Sequence, residues 1–94
     1  MNDDITSLIV RIEGIVQGVG FRDFLVMAAQ RHQLDGWVRN LPDGAVEALA
    51  SGTTKAVEAF VGAATKGPHG ARVTAVDLTN TEPPAEKGFH RRTH

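Results

Sequence analysis

The turn Leu41-Pro42-Asp43-Gly44 constrains the fold of this chain more than any other feature. Proline presets one turn dihedral, and Asp-Gly closes a tight hairpin. The strand-like runs on either side, residues 34–40 and 45–51, must therefore lie antiparallel. Upstream, in residues 7–13, Leu8, Val10 and Ile12 alternate with Ile9, Arg11 and Glu13, which predicts a strand with one face in a core. Residues 1–6 read as a loose end. Phe21, Phe24, Leu25, Ala28 and His32 recur at helical spacing, so residues 21–33 form an amphipathic helix between the first two strands. A helical crossover makes those two strands parallel, and the hairpin strand fits between them.

The rest of the chain completes the pattern. Gly52-Thr53-Thr54 supplies a break and a hydroxyl cap. Ala56, Val57, Phe60, Val61 and Ala64 mark the inner stripe of a second helix, which Lys66-Gly67-Pro68 stops. Residues 71–79 read as a fourth strand, residues 81–88 as a proline-containing loop, and residues 89–92 as a possible short fifth strand. The order is β-α-β-β-α-β, an α+β ferredoxin-like two-layer sandwich with an antiparallel sheet and both helices on one face. With 94 residues, 41% of them apolar, residues 1–94 are one domain.

The segment Gly14-Ile15-Val16-Gln17-Gly18-Val19-Gly20-Phe21-Arg22 carries the chemistry. A strand runs into two glycines, and an arginine follows as a helix begins. Glycines let the backbone bend and turn N–H groups inward, and a helix start adds unpaired donors and partial positive charge. Arg22 adds a planar fork suited to phosphate or carboxylate oxygens. The C-terminal ends of the first two strands lie on one edge of the sheet. Two strand spacings separate them by ~10 Å. Arg22, leaving from the first, and Asn40, ending the second, are thus expected to face one small anionic ligand.

Other chemistries lack their residues. The loop has no Gly-Lys-Ser/Thr and no third glycine of a dinucleotide fingerprint. The chain has no cysteine, and His32, His69, His90 and His94 show no ligand spacing, so neither a metal nor any other cofactor is expected. No acidic pair and no Ser-His-Asp set can be assembled. Arg39 is expected on the opposite face from Asn40 as a solvated charge, Trp37 as packing, and Glu13 and Glu47 facing solvent. Net charge is −1, so no nucleic-acid or membrane partner is expected. The third strand also lacks the aromatics of an RNA-binding sheet. With no signal peptide or membrane span in view, a cytoplasmic monomer is the expectation.

These residues resemble the acylphosphatase family. The matching stretches are residues 14–22, then Gly36-Trp37-Val38-Arg39-Asn40, Asp43-Gly44, Val46-Glu47, Gly67-Pro68 and the strand with Val73 and Val76. The resemblance runs roughly from Leu8 to Phe89. It implies metal-independent hydrolysis of the carboxyl–phosphate bond of acyl phosphates, with Arg22 binding phosphate and Asn40 orienting water. The phosphate loop falls on Val16, Gln17, Gly18, Val19, Gly20 and Phe21. Acylphosphatase-like domains also occur in larger enzymes that handle carbamoyl phosphate, which leaves a non-catalytic acyl or carbamoyl phosphate-binding module as the alternative. The chain ends soon after the motifs, so a free-standing enzyme is the expectation. Two positions depart from the family pattern. Ile15 replaces a residue that is basic or polar in many members. The tail Phe89-His90-Arg91-Arg92-Thr93-His94 is more basic than the apolar final strand the family leads one to expect.

Overall fold

The computed structural model describes residues 4–93. Met1, Asn2 and Asp3, half of the expected loose end, lie outside the described residues. The elements are β1 (Ile5–Ile15), α1 (Phe21–Arg31), β2 (Asp35–Asn40), β3 (Val46–Thr53), α2 (Thr54–Lys66), β4 (Arg72–Asn80) and β5 (Phe89–Arg91). They build one five-stranded sheet in the order β4-β1-β3-β2-β5. β3 lies between β1 and β2 and runs antiparallel to both, as the hairpin and crossover require.

Most boundaries shift by one or two residues from the sequence reading, and two of the shifts have a clear cause. Ile5 and Thr6 belong to β1, because β3 continues to Thr53 and pairs with them. Thr6 and Thr54 also share a hydroxyl hydrogen bond of 2.6 Å. At the other boundary, α1 ends at Arg31 instead of residue 33. Gln33 takes a left-handed conformation (φ 57°) and donates to the Gln30 carbonyl, while Leu34 donates to the Ala29 carbonyl. That paired arrangement closes a helix and turns the chain away, so His32 lies beyond the inner stripe.

The sheet is mixed, not antiparallel, because β5 pairs parallel with β2. Loop geometry explains the direction. β4 finishes beside the start of β1, where Leu8 pairs with Asn80. Residues 81–88 then cross to the far side of the sheet at that same end. Four strand spacings are ~19 Å, and eight extended residues reach at least ~26 Å. The chain can therefore only turn back up beside β2. β5 is held by Gly36 N–H to the Gly88 carbonyl (2.9 Å) and Arg92 N–H to the Val38 carbonyl (2.8 Å). Phe89 is buried, with its ring 5.6 Å from that of Phe60.

One face of the sheet carries Val10, Ile12, Val38, Val46, Ala48 and Ala50, all fully buried. Both helices cover it: α1 through Phe21, Leu25, Ala28 and Ala29, α2 through Val57, Phe60 and Ala64. The hydroxyl of Thr53 caps α2 by accepting from Ala56 N–H (3.2 Å), and Gly67 ends it at φ 73°.

On the open face Arg11 joins the 41–44 turn to β1. It ion-pairs with Asp43 and, at 3.2 Å, with Glu13, so Glu13 is engaged and not merely solvated. Asp43 also accepts from Ala45 N–H at 3.0 Å. The Arg11 hydrogen bond, then the Ala45 N–H, hold the Asp43 carboxyl below its usual range.

Two predictions follow from these anchors. Phe89→Ala should cost ~3–5 kcal/mol, the scale of deleting a buried aromatic ring, and should detach β5; denaturant unfolding reads the first effect and the activity assay below the second. A carboxyl depressed by folding stabilises above its unfolded value near ~3.9, and that contribution is lost as pH falls through the folded value. Asp43→Asn should therefore melt lower than wild type at neutral pH, and the two melting curves should converge in strong acid.

Candidate active site

The glycine loop hangs between two buried anchors, Val16 and Phe21. Gly18 (φ 78°) and Gly20 (φ 75°, ψ 22°) both take left-handed conformations. A Cβ at either would meet no atom within 4 Å. Glycine is thus required for its dihedral angle and not for space; another residue there costs ~1–2 kcal/mol. The Gly20 carbonyl accepts from Phe24 N–H at 3.0 Å, the first bond of α1. Helix α1 therefore starts with its free N–H groups at the loop.

A cleft of about 180 Å³ opens here, lined by Val16, Gln17, Gly18, Gly20, Phe21, Arg22, Asp23, Asn40 and Arg91. Arg22 and Asn40, which topology alone brings to one sheet edge, share it. Val19 does not line it; that side chain packs against the core. Ile15 stands largely exposed, outside the cleft lining.

Gln17 and Arg22 fix this cleft, and an exposed ion pair stands at its rim. Gln17 Nε2 donates to the carbonyls of Leu41 and Ala45, both at 2.9 Å. One carboxamide thereby ties the glycine loop to the β2–β3 hairpin and sets Asn40 relative to Arg22. Arg22 Nη1 donates to the Arg92 carbonyl at 3.2 Å, so the strand after the core steadies the guanidinium. Arg91 Nη1 pairs with Asp23 Oδ1 at 2.9 Å across the rim.

Sequence reasoning placed Gln17 in the loop but missed its tie to the hairpin. The available signal was a single amide side chain among apolar residues and glycines. It also missed Arg91, whose signal was the basic tail. Phe89 points into the core, and strand alternation puts Arg91 on that same side, toward α1.

The open face of the sheet holds the remaining charged residues. Arg39 lies opposite Asn40, as alternation requires, but it is paired rather than simply solvated. Its register partner across β3 is Glu47, and Arg39 Nη2 meets Glu47 Oε1 at 2.6 Å. Glu47 is accordingly half-buried instead of solvent-facing. Trp37 packs on this outer face, under the guanidiniums of Arg39 (5.2 Å) and Arg92 (4.8 Å). A larger groove of about 540 Å³ lies on this side, lined by Trp37, Leu49, Pro84 and Ala85 among others. Its mainly apolar wall lacks the glycine loop and the converging donors. Chemistry, not size, singles out the smaller cleft. No group of three His, Asp or Glu side chains converges anywhere among the described residues.

What such a cleft can do is grip a small tetrahedral oxyanion with backbone N–H groups and a guanidinium while a neutral carboxamide faces it. The family model described as Acylphosphatase matches residues 8–91. An acylphosphatase of Acidiphilium cryptum is 52% identical over 81 residues, covering 86% of this chain and 89% of that protein. The structure of an acylphosphatase from Coxiella burnetii superposes with a TM-score of 0.89 at 32% identity, covering 95% of this chain and 94% of the other. Full-length HypF, solved in a phosphate- and nucleotide-bound form, matches with a TM-score of 0.85 at 27% identity; 98% of this chain corresponds to 12% of that one. Sequence, fold and cleft agree: the chain belongs to the acylphosphatase family.

Proposed function

We propose that this protein hydrolyses the carboxyl–phosphate anhydride of small acyl phosphates, releasing a carboxylate and inorganic phosphate. Arg22 holds the phosphoryl group and Asn40 orients the attacking water. The observation that carries the reading is the shared cleft: Arg22 and Asn40 line one small space beside the glycine loop.

The sparse chemistry of the site suits this reaction. A carboxylate leaving group has a conjugate acid of pKa ~4, so it departs without being protonated and needs no general acid. The phosphoryl group spreads negative charge over three equatorial oxygens in the transition state. Inward N–H groups of residues 16–21 and the Arg22 fork neutralise that charge. Donors preset by the left-handed glycines need no rearrangement during the reaction. The Asn40 carboxamide has no basic nitrogen, so its contribution is to place a water oxygen in line with phosphorus. As that oxygen bonds to phosphorus, the bond to the acyl oxygen breaks and its electron pair stays on the carboxylate. The water's proton passes to a phosphoryl oxygen. Gln17 acts through Asn40, by holding the hairpin at a fixed distance from the loop.

The same reading has the protein working as a cytoplasmic monomer without nucleic-acid or membrane partners, which its near-neutral charge supports. No helix among the described residues is long and apolar enough to cross a membrane. The likeness to a small part of HypF favours one second reading, a phosphate-binding module without turnover. Steady-state hydrolysis of benzoyl phosphate separates the two.

In that assay Arg22→Ala should abolish measurable turnover and weaken competitive inhibition by inorganic phosphate. Arg22→Lys should stay severely impaired, because a point charge does not replace the planar fork. Asn40→Ala should lower kcat by at least ~10²-fold, the scale of one transition-state contact, while phosphate inhibition persists. Equal loss of rate and of phosphate binding in Asn40→Ala would remove the water-orienting role. Chelation with EDTA should leave wild-type turnover unchanged; a metal-restored activity would contradict the mechanism.

A further inference from the structure

The mechanism uses one guanidinium, yet the cleft is lined by two. Arg91 reaches it because β5 runs parallel to β2, pairing Arg91 with Val38 and carrying the strand toward the end where α1 begins. Its side chain is 47% exposed and that of Asp23 is 68% exposed. An ion pair this open to water is weak, so an incoming anion can compete with Asp23 for the guanidinium. Arg91 meets Asp23 through Nη1, and a guanidinium offers five N–H donors. The phosphoryl group is already provided for by the loop and Arg22. Arg91 and Asp23 line the same cleft as the loop and Arg22 and are its exposed side chains, so they are available to the acyl end of a substrate seated there.

We propose that Arg91 is a specificity-determining residue that selects acyl phosphates whose acyl chain carries a second carboxylate. This rests on the acylphosphatase reading and adds the substrate class. The distal carboxylate displaces Asp23 from Arg91 and takes its place. Asp23 disfavours anionic chains until that exchange occurs, so it tunes the preference. Hydrolysis itself is unaltered: the same phosphorus–oxygen bond breaks, and the product is a dicarboxylate plus phosphate.

The test compares succinyl phosphate with acetyl phosphate, which share the reacting group and differ in the distal carboxylate. Values of kcat/KM are measured for wild type, Arg91→Gln, Arg91→Ala and Asp23→Asn, with circular dichroism and melting curves establishing that each variant is folded. Wild type should prefer succinyl phosphate at low ionic strength, and added salt should reduce the preference. The succinyl-to-acetyl ratio should fall about tenfold in Arg91→Gln, the scale of one charge-assisted hydrogen bond. It should fall mainly through KM, and it should rise in Asp23→Asn. A ratio that is the same in wild type and both Arg91 variants overturns the proposal, including the case in which both substrates lose activity equally. Failure of wild type to hydrolyse acetyl phosphate at all would overturn the acylphosphatase reading, and this selectivity with it.

Discussion

Antiparallel pairing of β3 with both of its neighbours is the constraint from which the site follows. β1 and β2 are then parallel and finish at the same end of the sheet. Everything the proposed chemistry needs leaves from those two finishing points. The glycine loop and Arg22 extend from β1, and Asn40 closes β2. The buried faces of three strands and two helices hold the ends at a fixed separation. A close-packed interior of this kind does not deform continuously, so the proposed two-residue chemistry can rely on it.

Three small contacts refine what the sheet sets coarsely. The Gln17 amide bridges loop and hairpin through two carbonyls. The Arg92 carbonyl steadies Arg22. The Arg11–Asp43 pair clamps the turn to β1 from the other side of the sheet. Each joins residues far apart in sequence, so each depends on the completed fold and in turn narrows the freedom of the cleft. Catalysis by charge neutralisation rewards such rigidity, since donors already in place need no reorganisation.

Much of this was legible in the sequence because its signals are local. Period-two alternation gave β1, the Pro-Asp-Gly turn gave the hairpin, and Gly67-Pro68 gave the end of α2. From these, topology alone brought Arg22 and Asn40 together. What escaped reading depends on partners distant in the chain. The sequence marks residues 89–92 only as a possible strand; its parallel docking on β2 depends on a buried phenylalanine and on hydrogen bonds to β2, which a basic tail hides. The pairing of Arg39 with Glu47 requires the β2–β3 register to be known, and the Gln17 bridge involves carbonyls that no side-chain pattern encodes. The end of α1 was misjudged because Gln33, not glycine, adopts the left-handed turn.

Arg92 has a double attachment. Its carbonyl accepts from Arg22 at the cleft, while its guanidinium lies over the indole of Trp37 on the opposite side of the sheet. Trp37 is the sole tryptophan of the chain. The protein thus contains its own fluorophore, stacked against the residue that braces the Arg22 guanidinium. Intrinsic emission becomes an optical gauge of whether the last strand is docked, with no label attached.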